Sequence, residues 1–473
     1  NGTRGRAHRP MSRGMSLAGS IMHREIRGSR FRPVLLAESV SYREVAVFDV
    51  LNTEGQATLP FALKFGRTAG SAHQFAVADE EGCLALFELC ADDPSSHALK
   101  QHWEAHKNAI FDVAWLADDR QVVTAGGDQT VRVWDVEHRQ SLCCGHDHTG
   151  SIKSVATRAD SPHLVVTAGR DGQILLWDTR AASARPTLTP VLRIENAHGN
   201  RVDRRKRPRL NSHKSVTSVH FLPWQHALAS AGASDCKIKF WDLRTAGCAE
   251  QLCDIDATPA GAPSDARTRG FCCLDVDEKN LRLLGGTTGG QIHIYDLMRP
   301  SLGAIHTLEG HSSDTFYVKA VMSPDGRYVA SGSSDKIAYV WDVQRPSAPP
   351  VRLVGHGGEV TTLDFCRAHD DRLALALATC SDDGTVRVWA REKASESERM
   401  FITPARAPRE TRLRSPAAGG PDATSGAPSP GDAEASAART SPASLVRSRT
   451  IVDFWASTPR RPQPDGEPRE PAS

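Results

Sequence analysis

Residues 124–135 read TAGGDQTVRVWD, with Thr124 four residues before Asp128 and Asp128 six before Trp134. The spacing returns at Thr167, Asp171 and Trp177 (TAGRDGQILLWD), at Ser331, Asp335 and Trp341 (SGSSDKIAYVWD), and at Thr379, Asp383 and Trp389 (TCSDDGTVRVW). A fifth copy, SAGASDCKIKFWD, keeps Asp235 and Trp241 but sets its serine at Ser230. Each copy reads as strand, tight turn, strand: small or β-branched residues, a Gly/Ser/Asp turn, then alternation such as Val131 and Val133 against Thr130 and Arg132. A cassette that recurs at a fixed period is one supersecondary unit of a repeat architecture.

About thirty residues before these tryptophans stands a histidine: His106, Gly145-His146, Gly310-His311 and Gly355-His356. A His, a hydroxyl, an Asp and an indole N–H can form a buried chain in which each donor finds an acceptor, and such a chain fixes a fold only when every member is satisfied. The cassette resembles the WD40 signature, whose period of about 40–45 residues builds one four-stranded propeller blade. Two weaker copies complete the set. VADEEGCLALFEL carries Phe87 in place of Trp, and LLGGTTGGQIHIYDL carries Tyr295, with Gly289 where the Asp belongs. Taking Phe87, Trp134, Trp177, Trp241, Tyr295, Trp341 and Trp389 as markers predicts an all-β, seven-bladed WD40 propeller over about residues 45–392, with VAVFDV (Val45–Val50) as the outer strand that closes the ring. A single His–Asp–Ser set would suggest a hydrolase. Recurrence in several blades argues for a structural network instead, because one active site needs one copy. An enzyme on this fold would require a convergent cluster of titratable groups at the channel mouth, and none is visible outside the repeated set. The expectation is a binding protein with no catalytic residue, cofactor or metal.

Bulk composition is consistent with this. Lys+Arg 58 against Asp+Glu 56 gives a net charge of +2, so the whole molecule is not built as a polyanion binder. The eleven cysteines form no C-x-x-C pair, only the doublets Cys143-Cys144 and Cys272-Cys273 and singles within strand-like runs, which predicts apolar packing rather than zinc ligation. No run of about 18 apolar residues occurs and residues 1–16 lack a signal-peptide core, so a soluble intracellular protein without membrane contact is expected.

Three segments fall outside the blade pattern. Residues 1–44 are an N-terminal extension, expected to be partly disordered. The interval between Trp177 and Trp241 holds a basic insertion at about 196–212, with Arg204, Arg205, Lys206, Arg207 and Arg209, which reads either as a nuclear-localisation or nucleic-acid patch or as a solvated loop. Residues 393–473 turn to Ala, Pro, Ser, Gly and Arg, a composition that cannot bury enough apolar surface to offset ordering entropy, so a disordered tail is predicted. One island interrupts it, SLVRSRTIVDFWASTPRR. One helical turn there would put Ile451, Phe454 and Trp455 on one side, as a plug for a partner's apolar pocket. Its spacing over about 448–455 resembles the PCNA-interacting peptide: Ser448 at the position usually filled by Gln, Ile451, Asp453 before the aromatics, and Arg460 and Arg461 after them. Thr458-Pro459-Arg460-Arg461 resembles a cyclin-dependent-kinase site.

Trp177-Asp178-Thr179-Arg180 and Trp241-Asp242-Leu243-Arg244 end strands of consecutive blades. An arginine three residues past the tryptophan leaves the blade at its rim, where two guanidinium forks can meet one partner surface. W-D-x-R resembles the mark of cullin-4 ligase receptor subunits, in which the arginines dock on the adaptor. With VADEEGCLALFEL, EAHKNAIFDVAW, TAGGDQTVRVWDV and GHSSDTFYVKAVMSPDGRYVASGSSDKIAYVWDV, the two motifs make the chain similar to the denticleless (DTL) family over about residues 70–390. That resemblance implies a nuclear, non-enzymatic substrate receptor of a cullin-4 RING ubiquitin ligase. It would contact the ligase adaptor (the large subunit of the damaged-DNA-binding complex) through Trp177, Asp178, Arg180, Trp241, Asp242 and Arg244. It would take protein substrates bound to PCNA, such as the replication licensing factor, in S phase and after DNA damage, meeting nucleic acid only through PCNA. The alternative is a WD40 scaffold of another nuclear complex, histone-binding or RNA-processing, which would not need Ile451, Phe454 and Trp455.

Overall fold

The cassettes become strands of seven antiparallel sheets, each of four principal strands, in a computed structural model. It describes residues 41–90, 97–184, 186–199, 215–223, 226–244, 250–256, 270–277, 279, 281–367, 373 and 375–392. From inner to outer strand, blade 1 runs from Pro60–Phe65 to Ala98–Glu104, blade 2 from Ile110–Trp115 to Gln140–Gly145, and blade 3 from Ile152–Arg158 to Pro190–Ile194. Blade 4 runs from Val216–Phe221 to Glu250–Asp256, blade 5 from Phe271–Asp277 to Ala304–Glu309, and blade 6 from Ala320–Met322 to Val351–Val354. Blade 7 starts at Val360–Phe365, and its outermost strand is the N-terminal Ser41–Asp49, paired antiparallel with Thr385–Glu392. The seven inner strands touch one another in sequence and close a circle, so the structure is a seven-bladed propeller. No helix among the described residues is long and apolar enough to cross a membrane.

The core lies between the blades, in seven apolar layers. Each marker aromatic fills one layer by packing against the blade before its own: Phe87 between blades 7 and 1, Trp134 between 1 and 2, and Trp177 between 2 and 3. Trp241, Tyr295, Trp341 and Trp389 fill the next four in turn. This is why one large aromatic per period counts blades: without it a layer lacks its largest side chain, and a buried aromatic contributes about 3–5 kcal/mol over alanine.

Side chains on the inner strands stitch neighbouring blades through backbone amides. Asp112 accepts from Val155 N (2.9 Å), Ser154 from Val219 N (3.2 Å) and Ser218 from Leu274 N (3.0 Å). Asp275 accepts from Met322 N (2.7 Å) and Asp364 from Phe65 N (2.9 Å), while Trp115 Nε1 donates to Lys64 O (2.9 Å). Each pairs a polar group that burial would otherwise leave unsatisfied, an omission costing about 1–3 kcal/mol.

Two features of the described residues add to the plain repeat. The closing strand begins at Ser41, ahead of the VAVFDV stretch; it is bulged between Glu44 and Ala46, and its Phe48 lies 4.8 Å from Phe87 and 5.9 Å from Phe75 between ring centres. After Trp177 the chain forms a 3-10 turn over Thr179–Ala184 and then a two-residue strand, Thr187–Leu188, which pairs in parallel with the outer strand of blade 2 before returning to blade 3. Leu188 is buried in the layer between those blades, so the segment straps them together.

Candidate functional site

Buried histidine networks fix the loops at the ends of the blades. In blade 2, His106 Nε2 lies 2.6 Å from Thr124 Oγ1, which also accepts from Trp134 Nε1 (3.1 Å), while His106 Nδ1 lies 3.0 Å from Asp128. Blade 3 repeats the chain with His148, Thr167, Trp177 and Asp171, and blade 7 with His356, Thr379, Trp389 and Asp383. In blade 2 the arrangement fits His106 with its proton on Nδ1, donating to Asp128, and Nε2 accepting the Thr124 hydroxyl. Burial lowers His106 below its ordinary pKa despite Asp128. Burial would raise Asp128, but the bonds from His106 and Thr130 outweigh it and hold the carboxyl at about 2.

The structure corrects the sequence expectation in three blades. In blade 3 the network residue is His148; His146 sits beside Cys144 instead, 3.2 Å from its sulfur. Blade 4 has a full chain where the sequence pattern offered no histidine: His198 bonds Ser230 and Asp235 at 2.8 Å each, and Trp241 donates to Ser230 at 2.8 Å. Blade 6 does not assemble its predicted set. Ser331 Oγ donates to Gly332 O, Trp341 Nε1 donates to Glu309 O (3.2 Å), Asp335 accepts from the Tyr339 hydroxyl (2.6 Å), and His311 Nδ1 is buried without a partner. The cause is local. Tyr339 stands where blades 2, 3, 4 and 7 have Arg132, Leu175, Lys239 and Arg387, and its hydroxyl captures the aspartate. Seven positions separate His311 from Val318, whereas five separate His106 from Phe111, its counterpart in the ladder register, so the loop after His311 takes another path. Burial drops His311 to about 4.

The rim arginines belong to blades 3 and 4, which are neighbours. Arg180 sits on the 3-10 turn held by the strap, its side chain 67% exposed, and Arg244 is 73% exposed. Each folds back on its own aspartate: Arg180 Nη2 to Asp178 (2.6 Å) and Nε at 3.0 Å, Arg244 Nε to Asp242 (3.0 Å). The Arg244 guanidinium holds the Asp242 carboxyl at about 2, and Arg180 lowers Asp178 in the same way. The aspartates therefore orient the forks and occupy one edge of each, leaving the other edge outward. Trp177 and Trp241 are buried and support this rim from within; they are not part of its surface. Beside Arg180 a groove of about 670 Å³ opens between blades 2 and 3, lined by Leu116, Val133, Leu142, Pro162 and His163 among others.

The opposite end of the channel carries a feature that sequence reasoning missed. In six blades the inner strand begins with a β-bulge whose skipped residue turns away from the ladder: Phe61, Phe111, Lys153, Thr217, Cys272 and Thr361. In blade 6 the ladder opens at Ala320, which pairs with Ser331 as Val113 pairs with Thr124, so Lys319 stands level with Asp112 and the buried Val318 with the skipped residues. Bulges commonly re-aim a side chain at a site. Here Phe61 stacks on Phe111 (5.7 Å), Tyr317 from blade 6 reaches both, and Lys319 crosses to Asp112 (3.3 Å). Lys153 Nζ lies 3.1 Å from the centre of the Phe111 ring. The signal available in the sequence was DTFYVK (Asp314 to Lys319), which proves to be the segment lying over this mouth.

The tail residues Ser448, Ile451, Asp453, Phe454, Trp455, Thr458, Arg460 and Arg461, and the basic run Arg204 to Arg209, lie outside the described residues. Among the described residues no three His, Cys, Asp or Glu side chains are grouped so as to hold a metal ion.

Seven sheets in a closed ring, with a His–Ser/Thr–Trp chain repeated in four of them, define a WD40-repeat propeller. The family model described as WD domain, G-beta repeat matches residues 98–135, 139–178, 205–242, 303–342 and 348–390, omitting the blades marked by Phe87 and Tyr295. The chain is 36% identical over 367 residues to the denticleless protein homolog of Gallus gallus, covering 74% of this chain and 50% of that protein. It is 34% identical over 355 residues to the homolog of Homo sapiens (72% and 47%), and 32% over 376 residues to the protein lethal(2)denticleless of Drosophila melanogaster (76% and 48%). The chain belongs to the denticleless family, and it spans about half the length of the curated relatives it matches.

Proposed function

We propose that this propeller is the substrate-recognition subunit of a cullin-4 ubiquitin ligase, acting in the nucleus on replication and cell-cycle proteins bound to PCNA. The observation that carries the reading is the pair Arg180 and Arg244: adjacent blades, equivalent positions, each fork aimed by its own aspartate and largely exposed. Two such forks suit carboxylates on one adaptor surface, where bidentate pairing is strong. The chain's contribution is proximity. By holding a lysine-bearing protein near the charged conjugating enzyme it raises effective concentration, with no acid, base or nucleophile of its own. Ser448, Ile451, Asp453, Phe454, Trp455, Arg460 and Arg461 serve in this reading as the PCNA anchor, and phosphorylation of Thr458 as its modulator.

The test is co-purification of the adaptor with the full chain and with Arg180→Ala/Arg244→Ala. Truncating charged groups buried against a partner costs about 2–5 kcal/mol, so the double variant should recover little adaptor while melting at the temperature of the parent. Equal recovery would overturn the assignment.

A further inference from the structure

The bulged ring at the channel mouth has a chemistry unlike the rest of the propeller, and the DTFYVK segment is built over it. Phe61 and Phe111 are buried, and Tyr317 lies against both, so the mouth is closed by an aromatic floor. Phe316, its neighbour in the chain, is 42% exposed and offers an aromatic side chain beside that floor. On one side stand Lys153, seated on the Phe111 ring, and Arg170, exposed at the turn of blade 3. Burial first, then Arg170 and Lys319, push the Lys153 ammonium well below the ordinary lysine range. Lys319 is engaged by Asp112 and by Phe111 O. The other side is acidic. Glu359 accepts from Thr315 Oγ1 (3.1 Å) and Ser334 Oγ (2.6 Å), and burial together with Glu359, Glu80 and Asp383 raises the Asp382 carboxyl to about 7.

We infer that the channel mouth is a docking site for an acidic peptide segment of a partner protein, with a Glu or Asp side chain set against Lys153 and Arg170 and its neighbours lying on Phe316 and Tyr317. A carboxylate placed there meets the Lys153 ammonium and the Arg170 guanidinium together. It does so in partly desolvated surroundings, where charge pairing is stronger than in water. The acidic side argues against a polyanion: a nucleic-acid backbone crossing the mouth would run its phosphates onto Glu359, Asp382 and Glu80, whereas a peptide places one negative charge at one spot. For the same reason a carboxylate suits the site better than a phosphate dianion. The binding stands apart from the receptor reading, which enters only in making the occupant a ligase substrate.

The experiment uses the full chain against arrays of random nonapeptides with a fixed central Glu, phosphoserine, Gln or Lys, and against a 20-nucleotide poly-dT strand. Glu-centred peptides should bind at least fivefold more strongly than Gln-centred ones. Lys153→Glu should reverse the order in favour of Lys, and Phe316→Ala, at an exposed position, should weaken binding while the melting temperature holds. Lys153→Met, which keeps the stem over Phe111, covers the case in which the charge reversal fails to fold; it should erase the Glu preference. Equal binding of Glu and Gln, phosphoserine bound above Glu, or poly-dT binding that Lys153→Glu abolishes would each overturn the inference. Arg180→Ala/Arg244→Ala should leave the peptide preference intact, so failure of adaptor binding and failure of this site are read separately.

Discussion

At the scale of single residues, the contrast between blades 2 and 6 makes the same side chain essential in one place and dispensable in another. Thr124 is the middle of a chain, so Thr124→Val leaves both His106 Nε2 and Trp134 Nε1 unpaired. It should cost about 1–3 kcal/mol in denaturant unfolding. Ser331→Ala removes only the hydroxyl's contacts with the Gly332 and Lys319 carbonyls and should cost well under that, although the two residues look alike in sequence. A second prediction concerns pH. Asp382 is raised to about 7 in the fold, so the folded state binds its proton more tightly than the unfolded chain does. Its favourable contribution is complete below about pH 4 and is lost as pH rises through 7. Asp382→Asn should therefore stabilise the protein at pH 7.5, by about 1 kcal/mol once solvent screening is allowed for, and the gain should disappear near pH 4. Thermal melting at the two pH values checks both halves. His311, lowered to about 4, works the other way: stability falls as pH drops from 6.5 toward 4, and His311→Gln should flatten that part of the profile.

Elements show what was legible in the sequence and what was not. The marker aromatics could be counted because each fills one interblade layer, and burial dictates residue type strongly. The hydrogen-bond partners were harder to read. His148 and His146 differ by two positions in a loop, and only the path of that loop decides which ring faces Thr167. The bulged ring was invisible for a related reason. A β-bulge displaces one residue from a ladder without changing the apolar pattern around it, so Phe111 and Lys153 read as ordinary strand residues. The strap over Thr187–Leu188 was hidden as well, because two residues in parallel pairing leave no period. It has a measurable role: Leu188→Ala should cost about 2–4 kcal/mol and, by loosening the turn that carries Arg180, weaken adaptor recovery more than Leu192→Ala, a change of the same type in the outer strand of blade 3.

For the whole molecule, different parts carry different work in the proposed function: rim arginines for the adaptor, channel mouth for an acidic segment, tail for PCNA. Parts that act independently should fail independently. Removing residues 444–462, or replacing Phe454 and Trp455 by Ala, should reduce PCNA binding by well over tenfold, since buried aromatic anchors dominate such contacts. Adaptor recovery should be unchanged. Calorimetry with a synthetic 444–462 peptide measures the first directly, and a phosphate on Thr458, adding about −1.5 to −2 charges beside Arg460 and Arg461, should weaken it modestly. The closing strand sets a different kind of limit, one of time. Ser41–Asp49 leaves the ribosome ahead of every inner strand of the ring, yet its ladder partner, Thr385–Glu392, emerges more than three hundred residues later. At 5–20 residues per second that interval is roughly 20–70 s, during which the strand has an open edge able to pair with the wrong chain. Newborn copies of this protein should therefore depend on chaperones until Thr385–Glu392 has emerged, and a ribosome stalled before residue 385 holds a ring that has no means of shutting.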